Sequence, residues 1–261
     1  MKIDKSLFPD DTHFLLDLLQ SNDWPLAAPK FLICNDTDKD KSDRAEGILN
    51  YMGENFTNRK FCDFGCGEGH VAKEVGKTSV LSVGYDIVKE GNLPWETTQD
   101  GFTLTNNLDK VKESAPYDFI LLYDVLDHSQ NPVEVLQQVK SISNENTKVI
   151  VRCHSWMSRH ATHLYQKINK AWIHLVFTEE ELKLMGLEAP FTQKYFFPIG
   201  QQEGWFKAAG FSVVSSDVIK SEVEPFFRKP KIVSRLPMDK FKDFPEWQMS
   251  QSFNDYVLKL G

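Results

Sequence analysis

The sequence predicts an α/β fold, a mostly parallel sheet with helices on both faces, and three observations predict it. Apolar runs of strand length alternate with helical periodicities from about residue 43 to residue 219. A glycine-rich turn, Gly65-Cys66-Gly67-Glu68-Gly69, joins one predicted strand to the next predicted helix. The composition, 41% hydrophobic and 26% charged over 261 residues, is too apolar for disorder. No run approaches the ~20 apolar residues that span a bilayer, so a soluble globular chain is expected.

Each element has its own local reason. Residues 11–20 (DTHFLLDLLQ) have the spacing of a short amphipathic helix capped by Asp10 or Asp11. Residues 35–43 are polar and read as a loop, followed by a helix from about Asp43 to Gly53. Strands are predicted at Lys60–Phe64, Ser79–Tyr85, Phe102–Thr105, Asp118–Tyr123 and Lys148–Val151, with helices at Gly69–Val75 and Pro132–Ile142. Beyond these, residues 158–169 look helical, and Thr178-Glu179-Glu180-Glu181 is a capping box that opens another helix, ending near Gly186. Gln201–Ala209 reads as a helix stopped by Gly210, and Phe211–Ile219 as a strand with Glu222–Phe227 as its antiparallel partner. Residues 230–261 carry Pro230, Pro237 and Pro245 and read as irregular, ending in a helix over 250–260.

Charge and cysteine usage narrow the function classes. The net charge of −7 argues against a large nucleic-acid surface, yet residues 148–174 hold Lys148, Arg152, Arg159, Lys167, Lys170 and four of the seven histidines, with no acid. Such a segment suits an anionic ligand, or it is simply a solvated helix face. Cys34, Cys62, Cys66 and Cys153 are too few and too scattered for a disulfide framework. No basic segment followed by an apolar one opens the chain, so a reducing, cytoplasmic location without membrane attachment is expected.

The chemistry concentrates around the glycine turn. Glycines at 65, 67 and 69 let the chain turn tightly and let a ligand touch the main chain, with helix-start amides facing it. His70 stands where a dinucleotide fingerprint would place its third glycine, which weakens a nicotinamide reading. Asp63, two residues before Gly65, would repel a pyrophosphate and suit an ammonium. Asp86 closes the next strand, where a carboxylate accepts both hydroxyls of a ribose. A ligand with an amino-acid end and a nucleoside end, such as S-adenosylmethionine, fits both acids.

On these residues the chain resembles the class I S-adenosylmethionine-dependent methyltransferases. Asp63-x-Gly65-x-Gly67-x-Gly69 is similar to the family's first motif and Asp86 to its second. Asn107 stands where many members carry an acid toward the adenine. Tyr123-Asp124-Val125-Leu126-Asp127-His128 with Asn131-Pro132 resembles the fourth-strand segment, His174 with Phe177-Thr178 a segment after the fifth strand, and Gly210–Val214 the sixth-strand entry. The resemblance covers about residues 42–228. It implies a Rossmann-like, doubly wound sheet of seven strands with an antiparallel strand near the C-terminal end. It implies S-adenosylmethionine bound by Asp63, Gly65, Cys66, Gly67, Gly69, Asp86, Ile87, Asn107, Tyr123 and Asp124. The expected organisation is an N-terminal helix and loop at 1–41, a candidate lid; a cofactor-binding domain at 42–229, with 154–210 as an acceptor-side insertion; and a C-terminal extension at 230–261.

Methyl transfer needs alignment, and an oxygen acceptor also needs a base near neutrality. His128, His154 and Asp124 are the catalytic candidates because they follow the fourth and fifth strand ends; His160 and His163 are further acceptor-side candidates. Asp127 and His128 could instead cap the next helix. Asp124, Asp127 and His128, with His174, have a spacing similar to the metal-holding acids of small-RNA 2′-O-methyltransferases, but no metal is assigned. The leading expectation is a small-molecule acceptor, anionic in one version. Nucleic acid, with Trp156, Tyr165 and Trp172 as stacking platforms, is the first alternative, and a non-catalytic cofactor-binding or interaction domain the second.

Overall fold

The computed structural model describes residues 3–28, 37–154, 158–159, 161, 164, 167–187, 201–220, 229–236 and 250–261. In chain order they form α1 (His13–Gln20), α2 (Asp38–Met52), β1 (Lys60–Phe64), α3 (His70–Gly76), β2 (Leu81–Tyr85), β3 (Thr98–Gln99), β4 (Phe102–Thr105), α4 (Leu108–Glu113) and β5 (Phe119–Tyr123). They continue with α5 (Pro132–Ser141), β6 (Lys148–His154), α6 (Ile173–Val176), α7 (Glu179–Leu184), α8 (Gln201–Ala209), β7 (Phe211–Lys220), α9 (Pro230–Val233) and β8 (Gln251–Leu260).

The strands make one sheet in the order β3-β4-β2-β1-β5-β6-β8-β7. Pairs β4-β2, β2-β1, β1-β5 and β5-β6 are parallel. The order runs outward from β1 in both directions, so the strand connections reverse at β1, where ligands bind in open α/β sheets. The expected seven strands become eight because Thr98–Gln99 adds a short antiparallel edge to β4. The antiparallel element expected near the C-terminal end is present: Gly261 N donates to Gly210 O, so β8 ends beside the start of β7.

Strand alternation sorts side chains between the two faces. Cys62, Phe64, Ile120, Leu122, Val149 and Val151 join the helices α5 and α8 in one core. Phe61 and Leu121 point the other way and pack with Phe56 and Val75. Fully buried residues such as Phe61, Ile120 and Leu122 each contribute about 1.5–3 kcal/mol by leaving water, which holds the strand ends in fixed register.

The chain divides into two compact units. Residues 33–153, 200–217 and 255–261 make the first, which contains most of the sheet. Residues 1–32, 154–199 and 218–254 make the second. The latter has its own core of Leu16, Leu19, Trp24, Trp172 and Ile232. Trp24 Nε1 donates to Ala171 O at 2.8 Å, and Arg235 bridges Thr12 Oγ1 and the Glu181 carboxylate. The capping box of Thr178 and Glu181 opens α7 as its spacing predicts.

Several local expectations are corrected. Helix α2 begins at Asp38, not near Asp43, because Thr37 and Asp40 form a capping box and Lys39 pairs with Asp43 one turn on at 2.5 Å. Helix α1 takes no side-chain cap from Asp10 or Asp11, which lie in the 3₁₀ turn before it. Of the helix expected over 158–169, residues 160, 162, 163, 165 and 166 lie outside the described residues; Leu164 lies in a 3₁₀ turn, and Lys167 N and Ile168 N donate to its carbonyl. The predicted final helix is strand β8, whose buried positions Ser252, Asn254, Tyr256 and Leu258 alternate with period two. Polar residues on that buried face hid the alternation. The predicted strand Glu222–Phe227 lies outside the described residues, as do Cys34, Trp156, His160, His163 and Tyr165.

Candidate active site

Asp63 pairs in register with Gly84, and Phe64 with Tyr85, so the ends of β1 and β2 emerge side by side. The glycine turn then crosses above them. Gly65 N and Cys66 N both donate to Tyr85 O, at 2.7 and 2.9 Å. Gly67 N donates to Asp86 Oδ2 at 2.8 Å, while Asp86 Oδ1 accepts from Val88 N at 3.3 Å. The expectation that the turn's amides face a ligand is therefore modified: the first three tie the turn to the end of β2.

The three glycines have different jobs. All sit at positive φ (+88° at Gly65, +51° at Gly67, +84° at Gly69). A Cβ on Gly65 would strike the Val125 side chain, and one on Gly69 would lie 2.5 Å from Leu104 Cδ1. At Gly67 nothing stands within 4 Å of where a Cβ would project, so the turn presents open space there. Gly65 and Gly69 serve packing, and Gly67 bounds the space left for a ligand.

Asp63 is only 3% exposed. Burial and the charge of Asp86 push its carboxyl up to about 7, partly offset by a hydrogen bond from the Ala72 amide. A cation beside Asp63 would reverse that shift, because an opposite charge favours the ionised form. Burial and the same acids push the Cys66 thiol up, so Cys66 is an inert member of the turn.

The other predicted residues are distributed as follows. Ile87, directly after Asp86, is 78% exposed and leaves an apolar side chain at the mouth of the site. Asn107 caps α4, its Oδ1 accepting from Asp109 N at 2.9 Å, which leaves the side-chain amide as a donor rather than an acceptor. Tyr123 points to the α2 side of the sheet, where its hydroxyl accepts from Arg152 Nη1 at 3.0 Å. Asp124 directly follows β5 with φ +57°, in the left-handed region that Asp tolerates better than most residues. A carboxylate oxygen of Asp124 and one of Asp127 lie within 4.8 Å of each other. Asp127 and His128 do not cap α5, because Asn131 does, its Oδ1 accepting from Glu134 N at 3.2 Å. His128 is half-buried in the turn after β5. His154 is buried as the last residue of β6, its ring 4.5 Å from that of Phe253. His174 is buried in α6.

Two groups escaped the sequence reading. Lys41 and Arg44 of α2 line a cavity of about 180 Å³ with Cys66, Glu68, Gly69 and His70. The signal was present at positions 41, 44, 45 and 48, one face of a helix, but it required α2 to start at Asp38. Glu96 is held by Thr105 Oγ1, Asn106 N and Lys110 Nζ, with φ +62°. The hydrogen bond from Lys110 leads the effects that pull its carboxyl down to about 2. No local pattern marks Glu96, since its partners are brought to it by β4.

A family model described as a methyltransferase domain matches residues 38–216. No curated protein matches the chain. The magnesium protoporphyrin IX methyltransferase of Synechocystis PCC 6803, solved with bound SAH, is 13% identical with a TM-score of 0.47, over 99% of this chain and 100% of that one. An S-adenosylmethionine dependent methyltransferase from Mesorhizobium loti is 12% identical with a TM-score of 0.48, over 82% of this chain and 97% of that one. The phosphoethanolamine N-methyltransferase 2 of Haemonchus contortus is 12% identical with a TM-score of 0.47, over 84% of this chain and 52% of that one. With the family model spanning β1 to β6, the glycine turn and both strand-end acids, the chain belongs to the methyltransferase-domain family, the Rossmann-like class I methyltransferases whose cofactor is S-adenosylmethionine.

Proposed function

We propose that the chain is an enzyme that transfers a methyl group from S-adenosylmethionine to a small-molecule acceptor. The observation that carries this reading is the pair of acids flanking the open space at Gly67: Asp63, buried and awaiting a cation, and Asp86, fixed at the end of β2. Their chemistry fits the cofactor. Asp63 would hold its ammonium, Asp86 its ribose hydroxyls, and Ile87 offers apolar surface beside them. When bound, S-adenosylmethionine supplies a methyl group on a sulfonium, open to in-line displacement. Asp124, His128 and His154, at or after the ends of β5 and β6, are our candidates for orienting the acceptor and taking its proton.

A small acceptor is favoured over nucleic acid by how the basic segment is used. Lys148 pairs with Glu54, and Arg152 makes two hydrogen bonds to Asp255 at 2.7 and 2.6 Å. Arg159 stacks on Trp172 and donates to Leu26 O, and Lys170 donates to Ser21 O. Trp172 is 0% exposed, a core residue rather than a stacking platform. These contacts and the net charge of −7 leave little for a phosphate backbone. No helix among the described residues is long and apolar enough to cross a membrane. Cys62, Cys66 and Cys153 are free thiols, which supports a reducing, cytoplasmic location.

The test is incubation of a cell extract with methyl-labelled S-adenosylmethionine and the protein, followed by fractionation. Label in a small-molecule fraction supports the reading; label confined to RNA or DNA overturns the acceptor class; no label, with no calorimetric binding of the cofactor, overturns the enzyme.

A further inference from the structure

We propose that the cavity beyond the end of α2, floored by β5, β6 and β8, is a second small-molecule site of this chain, one that takes an organic cation with an apolar body. Its volume is about 340 Å³, and every residue that lines it belongs to the first compact unit. None of them lies in the glycine turn, and neither Asp63 nor Asp86 is among them, so the proposal stands independently of the cofactor reading.

The floor is aliphatic. Leu121 of β5 pairs in register with Ile150 of β6, Val257 of β8 lines the same cavity, and Met52 closes it at the end of α2. An apolar floor with a few polar groups at its margin is the usual composition of small-molecule pockets, whose volumes begin at about 300 Å³.

The polar margin sets the sign of the ligand's charge. Arg152 is committed: it makes two hydrogen bonds to the Asp255 carboxylate and one to the Tyr123 hydroxyl, and its guanidinium lies 4.5 Å from the centre of the Tyr51 ring. Glu54 is paired with Lys148. Asp217 of β7 adds a further carboxylate, and no described residue forms a hydrogen bond or an ion pair with it. Arg152, Asp255 and Asp217 together leave one negative charge at the Tyr51 end. Partial burial first, and then Asp255 and Asp217, push the Tyr51 phenol up, so both acids act at this end of the cavity. An anion would be repelled there, and a neutral ligand would leave Asp217 to water alone. A cation meets Asp217 while its apolar part covers the floor and the wall offered by Tyr51, which is 55% exposed.

Methyl NMR of Ile150 and Val257, titrated with hexylammonium, hexanoate and methylammonium, tests this. Hexylammonium should shift the methyl signals of both residues to saturation and bind about tenfold more tightly than hexanoate, which differs from it in the sign of its charge. Methylammonium keeps the charge without the chain and should bind about tenfold more weakly than hexylammonium, because it lacks the methylenes that the floor would bury. In Asp217→Asn the preference over hexanoate should shrink to about threefold or less. Asp217 is exposed, so the variant should fold, which its methyl spectrum without ligand checks, and the wild-type titrations decide the ligand class without it. The inference is overturned by the absence of shifts at Ile150 and Val257, by hexanoate or methylammonium binding as tightly as hexylammonium, or by full preference retained in Asp217→Asn.

Discussion

The carboxylate of Asp86 accepts a hydrogen bond from the backbone amide of Gly67 at 2.8 Å, joining the end of β2 to the middle of the glycine turn. One side chain thus shapes the turn and, on the function proposed above, would also accept the ribose hydroxyls. Asp86→Ala should weaken S-adenosylhomocysteine binding by about 1.5–3 kcal/mol, the range for hydrogen bonds to a charged group. Calorimetry measures it, and an unchanged dissociation constant would reduce Asp86 to a structural brace.

Gly65 and Gly67 should separate stability from binding. Gly65→Ala forces a Cβ into Val125 at φ +88° and should cost about 1–3 kcal/mol of folding stability. Gly67→Arg meets open space and pays only the left-handed backbone, roughly 1–2 kcal/mol, yet fills the ligand's volume. Urea unfolding and calorimetry together check this: Gly67→Arg should fold and fail to bind the cofactor.

Asp63 predicts opposite pH trends for stability and binding. Its carboxyl is raised from 3.8 to about 7 in the folded protein, so the native state holds the proton more tightly than the unfolded chain. That contribution is fully present below pH 4 and is lost as pH rises through 7. Asp63→Asn should remove this slope, so wild type should lose thermal stability relative to the variant between pH 5 and 8. Cofactor affinity should rise over the same window, because an ammonium needs the ionised acid. Parallel slopes in the two proteins would sink the assignment.

Arg152 and Asp255 tie β6 to β8. The guanidinium lies over the rings of Tyr51 and Tyr123, at 4.5 and 5.1 Å from their centroids, and Tyr51 also donates to Asp255 at 2.9 Å. Asp255→Ala takes the carboxylate from a largely buried cation and should destabilise the fold by about 3 kcal/mol, at the low end for breaking a buried pair. The exposed pair of Lys39 and Asp43 is the control, expected to leave stability nearly unchanged because solvent screens it. Chemical denaturation of Asp255→Ala and Lys39→Ala distinguishes them.

His154→Ala should lower methyl transfer while leaving cofactor affinity within about twofold, ~0.4 kcal/mol. Paired turnover and binding measurements decide it once an acceptor is known. Full activity would confine His154 to packing against Phe253. Arg159→Ala, by contrast, should act on stability, since Arg159 braces Leu26 O and Trp172.

What the sequence alone determined is local. Lys60–Phe64 and Phe102–Thr105 are strands because their periodicity is short-range, and the glycine turn is a turn because Gly65, Gly67 and Gly69 are the residues that accept positive φ cheaply. Asp63 and Asp86 were legible because strand ends place them. Tertiary structure decided the rest. Strand β8 is read as a helix until β6 and β7 are there to pair it, because Gln251, Ser252 and Asn254 are polar residues that only a formed sheet buries. Tyr123 meets Arg152 because the pleat of β5 assigns its face. Lys41, Arg44 and His70 meet only when α2 packs beside α3, and Glu96 finds its cation and amide partners only when β4 is in place. Periodicity and turn chemistry act over a few residues, whereas these groupings join positions far apart in the chain whose proximity is a property of the sheet.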